Sequence, residues 1–123
     1  MAIVQLVYDS FRRRDLDALA GLLAPDVVID QSTEVPWGGH YEGVDGLRRA
    51  FARLTASLDS TPAFDRFIDA GDHVVALGRT RGRVRASGAA YDVPIAHVWT
   101  VQDGRVTRIL YCIDNPTMLA ALG

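Results

Sequence analysis

The chain has 123 residues, 49% hydrophobic and 23% charged, with a net charge of −2; this describes a single globular domain over residues 1–123 and gives no reason to expect nucleic acid or an anionic membrane as partner. All 13 basic residues are arginine, so Schiff-base chemistry on a lysine amine is excluded. Cys112 is the only cysteine, which excludes an intrachain disulfide and a cysteine-based zinc cluster and fits a reducing compartment.

Near the N-terminus Val4, Val7, Tyr8 and Phe11 recur at helical spacing, as do Leu16, Leu19, Leu22 and Leu23. The stretch "RRRD" at 12–15 interrupts the pattern and predicts two helices, the second capped by Asp15 and closed by Pro25. "DVVIDQS" predicts a short strand, "TEVPWGGHYEG" a loop too long for a tight turn, and "VDGLRRAFARLTASL" a third helix with Val44, Leu47, Phe51 and Leu54 on one face. The second half predicts four antiparallel strands: "TPAFDRFIDAGD", "HVVALGRTRGRVRAS", "AAYDVPIAHVWTV" and "RVTRILYCID". Helices first and a strand meander second give an α+β domain, with about three N-terminal helices packed on one face of a curved antiparallel sheet. The first residues lack a signal-peptide pattern, and no apolar run approaches the ~18 residues of a membrane span, so a soluble, cytoplasmic protein is expected.

Two strands carry unusual side chains. Arg79, Arg81, Arg83 and Arg85 alternate with Thr80, Gly82 and Val84, so their guanidinium groups share one face, either an anion-binding stripe or a solvated face or edge that resists aggregation. In "DVPIAHVWTVQDGRV" the same alternation sets His97, Trp99 and Val101 on one face. That places an imidazole among bulky groups: either the face borders a pocket, or His97 is a hydrogen-bonded core or interface histidine.

The order of elements and the motifs "YEGVDGLRRAF", "DVPIAHVWTVQDGRV" and "LYCID" resemble the SnoaL-like branch of the nuclear transport factor two-like superfamily, over essentially the whole chain. The resemblance implies a cone-shaped fold, a bent sheet wrapped around helices with an internal pocket. It does not imply one reaction, since relatives include ketosteroid isomerase, scytalone dehydratase, limonene epoxide hydrolase and polyketide cyclases. Where ketosteroid isomerase has its general base, this chain has Gln31; its oxyanion-hole acid falls at Ala96, and its helical tyrosine near Val7, one residue before Tyr8. The limonene epoxide hydrolase Arg and Asp fall near Gly78 and Thr80, and its last-strand Asp at Tyr111, so neither mechanism keeps its residues. Polyketide cyclases move a proton with an acid/base on the sheet; the nearest last-strand carboxylate is Asp114, which has an alternative role in tying down the chain before Pro116.

The site expected from these readings has His97, Tyr111 and either Gln31 or Asp30 as catalytic groups, since Gln31 and Asp30 alternate and a one-residue slip exchanges them. A type I turn with a bulge at Gly104 pairs His97 with Ile109 and Trp99 with Thr107, leaving Tyr111 on the face of His97. A two-residue Asp-Gly turn pairs His97 with Leu110 and turns Tyr111 away; the resemblance favours the first. Tyr8, Trp37, His40, Trp99, Ile109 and Ile113 complete the ligand-binding set, with Trp37 readable equally as a hydrophobic plug and His40 as a solvated loop histidine. With an unperturbed pKa near ~6.5, His97 would take and return a proton at neutral pH.

His40, His73 and His97 lie on different elements without ligand spacing, and no nucleotide motif is present, so no metal and no organic cofactor is expected. The expected function is proton-transfer chemistry (isomerisation, cyclisation or dehydration) on a small apolar carbonyl compound, or else a non-catalytic binding or dimerisation module. The apolar "VWTV" and "RILYCI" strands of an open sheet predict a homodimer.

Overall fold

The two N-terminal helices are α1 (Ala2–Arg13) and α2 (Leu16–Leu22) in the computed structural model, which describes residues 2–13 and 15–123. Val4, Val7 and Ser10 form the buried stripe of α1, and the Asp15 carboxylate caps α2 by accepting from the Ala18 N–H at 3.1 Å. Arg14, within the predicted break, lies outside the described residues. The chain then runs directly into β1 (Leu23–Gln31), where Pro25 sits in a stretch not paired with a neighbour and so sacrifices no ladder hydrogen bond.

Part of the predicted long loop is a short strand, β2 (Gly39–Glu42), followed by α3 (Gly43–Ser57). Arg53 of α3 straps the loop down, donating to the Gly38 carbonyl at 3.2 Å, to the Tyr41 hydroxyl at 2.6 Å and to the Pro36 carbonyl. Four strands follow: β3 (Leu58–Ala70), β4 (His73–Val84), β5 (Ala90–Gln102) and β6 (Arg105–Ile113). The chain closes with a helix absent from the sequence reading, α4 (Asn115–Leu122). Its start signal was present: Asp114 accepts from the Thr117 N–H at 3.2 Å and Pro116 occupies the first turn, so Asp114 is a helix cap that ties down the chain.

The six strands form one curved, unclosed sheet in the order β2-β1-β6-β5-β4-β3, with the helices packed against it as an α+β cone. The sheet is mixed rather than purely antiparallel, because β1 and β6 run parallel. That pairing is possible because a long crossover containing α3 separates them. Tight curvature between β3 and β4 depends on glycine: a Cβ on Gly78 would lie 2.0 Å from the Ala63 carbonyl oxygen, and one on Gly82 1.8 Å from that of Asp59.

Two clusters fill the interior. One joins Val4, Val7, Leu47, Ile29, Trp99 and Ile109 between the helices and the inner sheet face; the other joins Trp37, Leu58, Tyr91, Val93 and Met118. The arginine stripe lies on an inner strand of the sheet, not an edge: Arg79 and Arg81 clamp Asp92 at 2.6 and 3.0 Å on the exposed outer face, and Arg83 binds the Gly88 carbonyl. Among the described residues, no helix is long and apolar enough to cross a membrane.

Candidate active site

Alternation along β5 buries Tyr91, Val93, Ile95 and Trp99 and so carries His97 to the inner face. The β5–β6 turn then decides what stands beside it. Asp103 and Gly104 have φ of 52° and 74°, both left-handed, so the connection is the two-residue I′ hairpin turn with Gln102 opposite Arg105. The expected type I turn with a Gly104 bulge is therefore corrected. A bulge does occur, but at Thr107, which is the extra residue between the Thr100–Arg108 and Val101–Val106 pairs. Turn and bulge each shift the register by one, so the face is restored: His97 stands opposite Tyr111, not Ile109, and Trp99 opposite Ile109, not Thr107.

Gln31 is in register with Tyr111 across the parallel β1–β6 pair and shares its face with the buried Ile29. A transverse row therefore crosses three strands on the inner face: Gln31 on β1, Tyr111 on β6 and His97 on β5. Small Ala76 of β4, fully buried, stands on the other side of His97.

Aromatic rings wall this row. His97 and Tyr111 meet edge to face with centroids 4.5 Å apart, and Phe64 lies 5.0 Å from His97. Tyr8, reaching in from α1, packs 4.6 Å from Phe64, 6.0 Å from Phe67 and 5.2 Å from Trp99. Phe64 and Phe67 were missed from the sequence because residues three apart in a regular strand face opposite ways. A bulge between Phe64 and Arg66 cancels that difference and turns both rings inward. The signal was the "FDRF" spacing itself, which no unbroken strand could bury. A surface cleft of about 280 Å³ is lined by Gln5, Tyr8, Asp9, Arg12 and Phe67, of which Tyr8 and Phe67 also belong to the aromatic cluster.

Hydrogen bonding inside the cone is sparse. The Trp99 indole N–H donates to the Tyr8 hydroxyl oxygen at 2.8 Å, and that hydroxyl lies 2.7 Å from His97 Nδ1. Burial pushes the His97 pKa down to about 3 and raises those of Tyr111 and Tyr8 well above the usual tyrosine range. All three groups are thus neutral at neutral pH. The expectation that His97 exchanges a proton near pH 6.5 is corrected: desolvation makes it a weak base, suited to donating a hydrogen bond rather than to abstracting a proton.

The remaining predicted residues divide by position. Asp30 points to the outer face, bound to His40 Nδ1 at 2.6 Å and to Arg108 at 3.2 Å, so the structure does not bring it to the row. His40 is exposed; its hydrogen bonds to Asp30 and then Glu42 raise its pKa, and it lies outside the cone with them. Trp37 is buried in the second cluster, its carbonyl accepting from the Tyr41 hydroxyl at 3.1 Å, and it makes none of the ring contacts around His97. Ile113 packs against that same cluster, while Trp99 and Ile109, paired with each other in the adjacent row of the inner face, are fully buried. Among the described residues, no group of three His, Cys, Asp or Glu side chains is placed to hold a metal ion.

A sequence model of the SnoaL-like domain matches residues 4–109. No curated protein matches the sequence. Among solved structures, an NTF2-like protein from Burkholderia thailandensis E264 is 30% identical with a TM-score of 0.90, covering 99% of this chain and 95% of its own. TerC, crystallised with polyporic acid, is 25% identical with a TM-score of 0.86, over 98% of this chain and 95% of its own. A candidate polyketide cyclase from Xanthomonas campestris pv. campestris shares the fold at 23% identity and a TM-score of 0.78, over 99% of this chain and 95% of its own.

Proposed function

The chain belongs to the SnoaL-like domain family, and on that premise we propose that it is a cofactor-independent enzyme of the cyclase or isomerase type, acting on a small apolar, polyketide-like carbonyl compound. The observation that carries this reading is the row of Gln31, Tyr111 and His97, three polar side chains aligned across adjacent strands inside an aromatic wall. A carbonyl compound whose C–H proton leaves develops negative charge on oxygen, and neutral donors fixed in a dry site stabilise that charge most when it forms. Among the described residues no carboxylate joins the row, so the proton must leave a carbon acid that ionises readily, such as a methylene between two carbonyls, and pass to water or to the substrate's own oxygen. The aromatic walls suit a flat, conjugated substrate, and the similar protein TerC was crystallised with an organic acid, polyporic acid.

Benzoylacetone tests the reading, because its central methylene exchanges with deuterated water by way of the enolate. The protein is expected to bind it and to accelerate exchange, with His97→Gln and Tyr111→Phe retaining the fold and binding within a few-fold while lowering the acceleration by roughly 10²–10³ each. The missing carboxylate also favours a second reading, a non-catalytic binding module, which predicts saturable binding with no acceleration. Binding without acceleration would therefore overturn the enzymatic proposal.

A further inference from the structure

We propose that Tyr8, oriented by Trp99, is a positioning residue that locks His97 in the tautomer carrying its proton on Nε2, so that the ring presents a permanent N–H donor to the row. Three features of the geometry carry this. The indole N–H of Trp99 can only donate, and it points at the Tyr8 oxygen from 2.8 Å. The Tyr8 hydroxyl therefore accepts from Trp99 and has one proton left to give. At 2.7 Å, His97 Nδ1 is the only acceptor within reach of it among the described residues.

If the proton sat on Nδ1 instead, Tyr8 would accept twice and its own O–H would be left without an acceptor in a site walled by Phe64, Phe67 and Trp99, an arrangement that costs a buried hydrogen bond. The relay Trp99 to Tyr8 to His97 is thus satisfied in one direction only. Nε2 makes no hydrogen bond among the described residues, yet it is not sealed in: Asn115 Oδ1 is the one fully enclosed side-chain polar atom there that lacks a partner. Tyr111 O–H is likewise unpaired and not sealed. Two donors on adjacent strands, at rings 4.5 Å apart, are consequently left without a protein acceptor among the described residues.

This assignment makes α1 part of the site. Tyr8 lines the outer cleft with Gln5, Asp9 and Arg12, so whatever enters that cleft meets the residue that sets the histidine's tautomer. The ligand oxygen as acceptor for Nε2–H rests on the function proposed above; the tautomer itself does not.

Long-range nitrogen–proton NMR spectra of protein labelled with nitrogen-15 histidine decide the matter without a substrate. His97 is assigned by the loss of its signals in His97→Gln, leaving His40 and His73. The expected wild-type pattern is a bare, downfield Nδ1 and a protonated Nε2 coupled to both ring protons, unchanged between pH 5 and 8. In Tyr8→Phe the two nitrogen shifts should converge as both tautomers become populated. If that variant fails to fold, Trp99→Phe replaces it: Tyr8 is then free to accept from His97, and a population with Nδ1 protonated should appear. A wild-type Nδ1–H tautomer, or an unaltered Nε2–H pattern in the folded variant, overturns the proposal whether or not benzoylacetone exchange is accelerated.

Discussion

Acidification from pH 7 to pH 5 should cost this fold about 2 kcal/mol through His97 alone. The folded imidazole, with its pKa pushed down to about 3 by burial, holds a proton less tightly than the unfolded one near 6.5. Below pH 6.5 protons therefore bind the unfolded chain in preference, and stability falls as pH drops through the window from 6.5 toward 3. At pH 5 the unfolded group lies one and a half units below its pKa while the folded group is still neutral; at ~1.4 kcal/mol per unit this gives about 2 kcal/mol. Against a domain stability of about 5–15 kcal/mol the loss is large, and it corresponds to a fall of roughly 6–10 °C in Tm. The assay is thermal or urea unfolding of wild type and His97→Gln at pH 7, 6 and 5. Glutamine does not titrate, so the variant keeps every other acid-sensitive group and loses only this slope. Parallel pH profiles would refute the reasoning, because they would mean that His97 is protonated in the folded protein as readily as in water.

The outer-face histidine should behave in the opposite sense. With its pKa raised by Asp30 and Glu42, His40 contributes stability below about pH 6.5 that is lost as pH rises through its folded value. His40→Gln should therefore lower Tm slightly at pH 5.5 and leave it unchanged at pH 8.5; an equal effect at both would contradict the ion pair. Gly78→Ala and Gly82→Ala should each destabilise by ~3 kcal/mol or more in urea unfolding, since the added Cβ meets strand backbone that cannot move aside; near-neutral effects would show that the two strands separate easily. Sedimentation at micromolar concentration should give twice the chain mass, through the outer sheet face on which half-buried Leu77, Val98 and Leu110 alternate with the inward residues; a clean monomer would rule this dimer out. Chelator treatment should leave Tm and benzoylacetone binding unchanged, and a drop in either would reveal a metal site.

Local pattern carried the α+β architecture, because helical period and strand alternation are properties of the backbone within one element. "DVPIAHVWTVQDGRV" sufficed to set His97 and Trp99 on one face, and "VIDQ" to oppose Asp30 to Gln31. Which face looked inward, and what stood beside it, depended on neighbours distant in the chain. Ile29 is buried against β6, so Gln31 enters the cone and Asp30 is left to His40 and Arg108. Tyr111 reached His97 only through an I′ turn and a bulge at Thr107, two one-residue shifts whose effects cancel and whose sum no count along the strand reveals. The bulge between Phe64 and Arg66 likewise brought together two rings that regular alternation would separate. The chemistry of His97 was still less local. Its residue type implies a proton exchanger at neutral pH, but desolvation by the packed cone and a hydroxyl supplied from Tyr8, 89 residues earlier, make it a neutral donor, because the cost of burying charge belongs to the surroundings and not to the side chain.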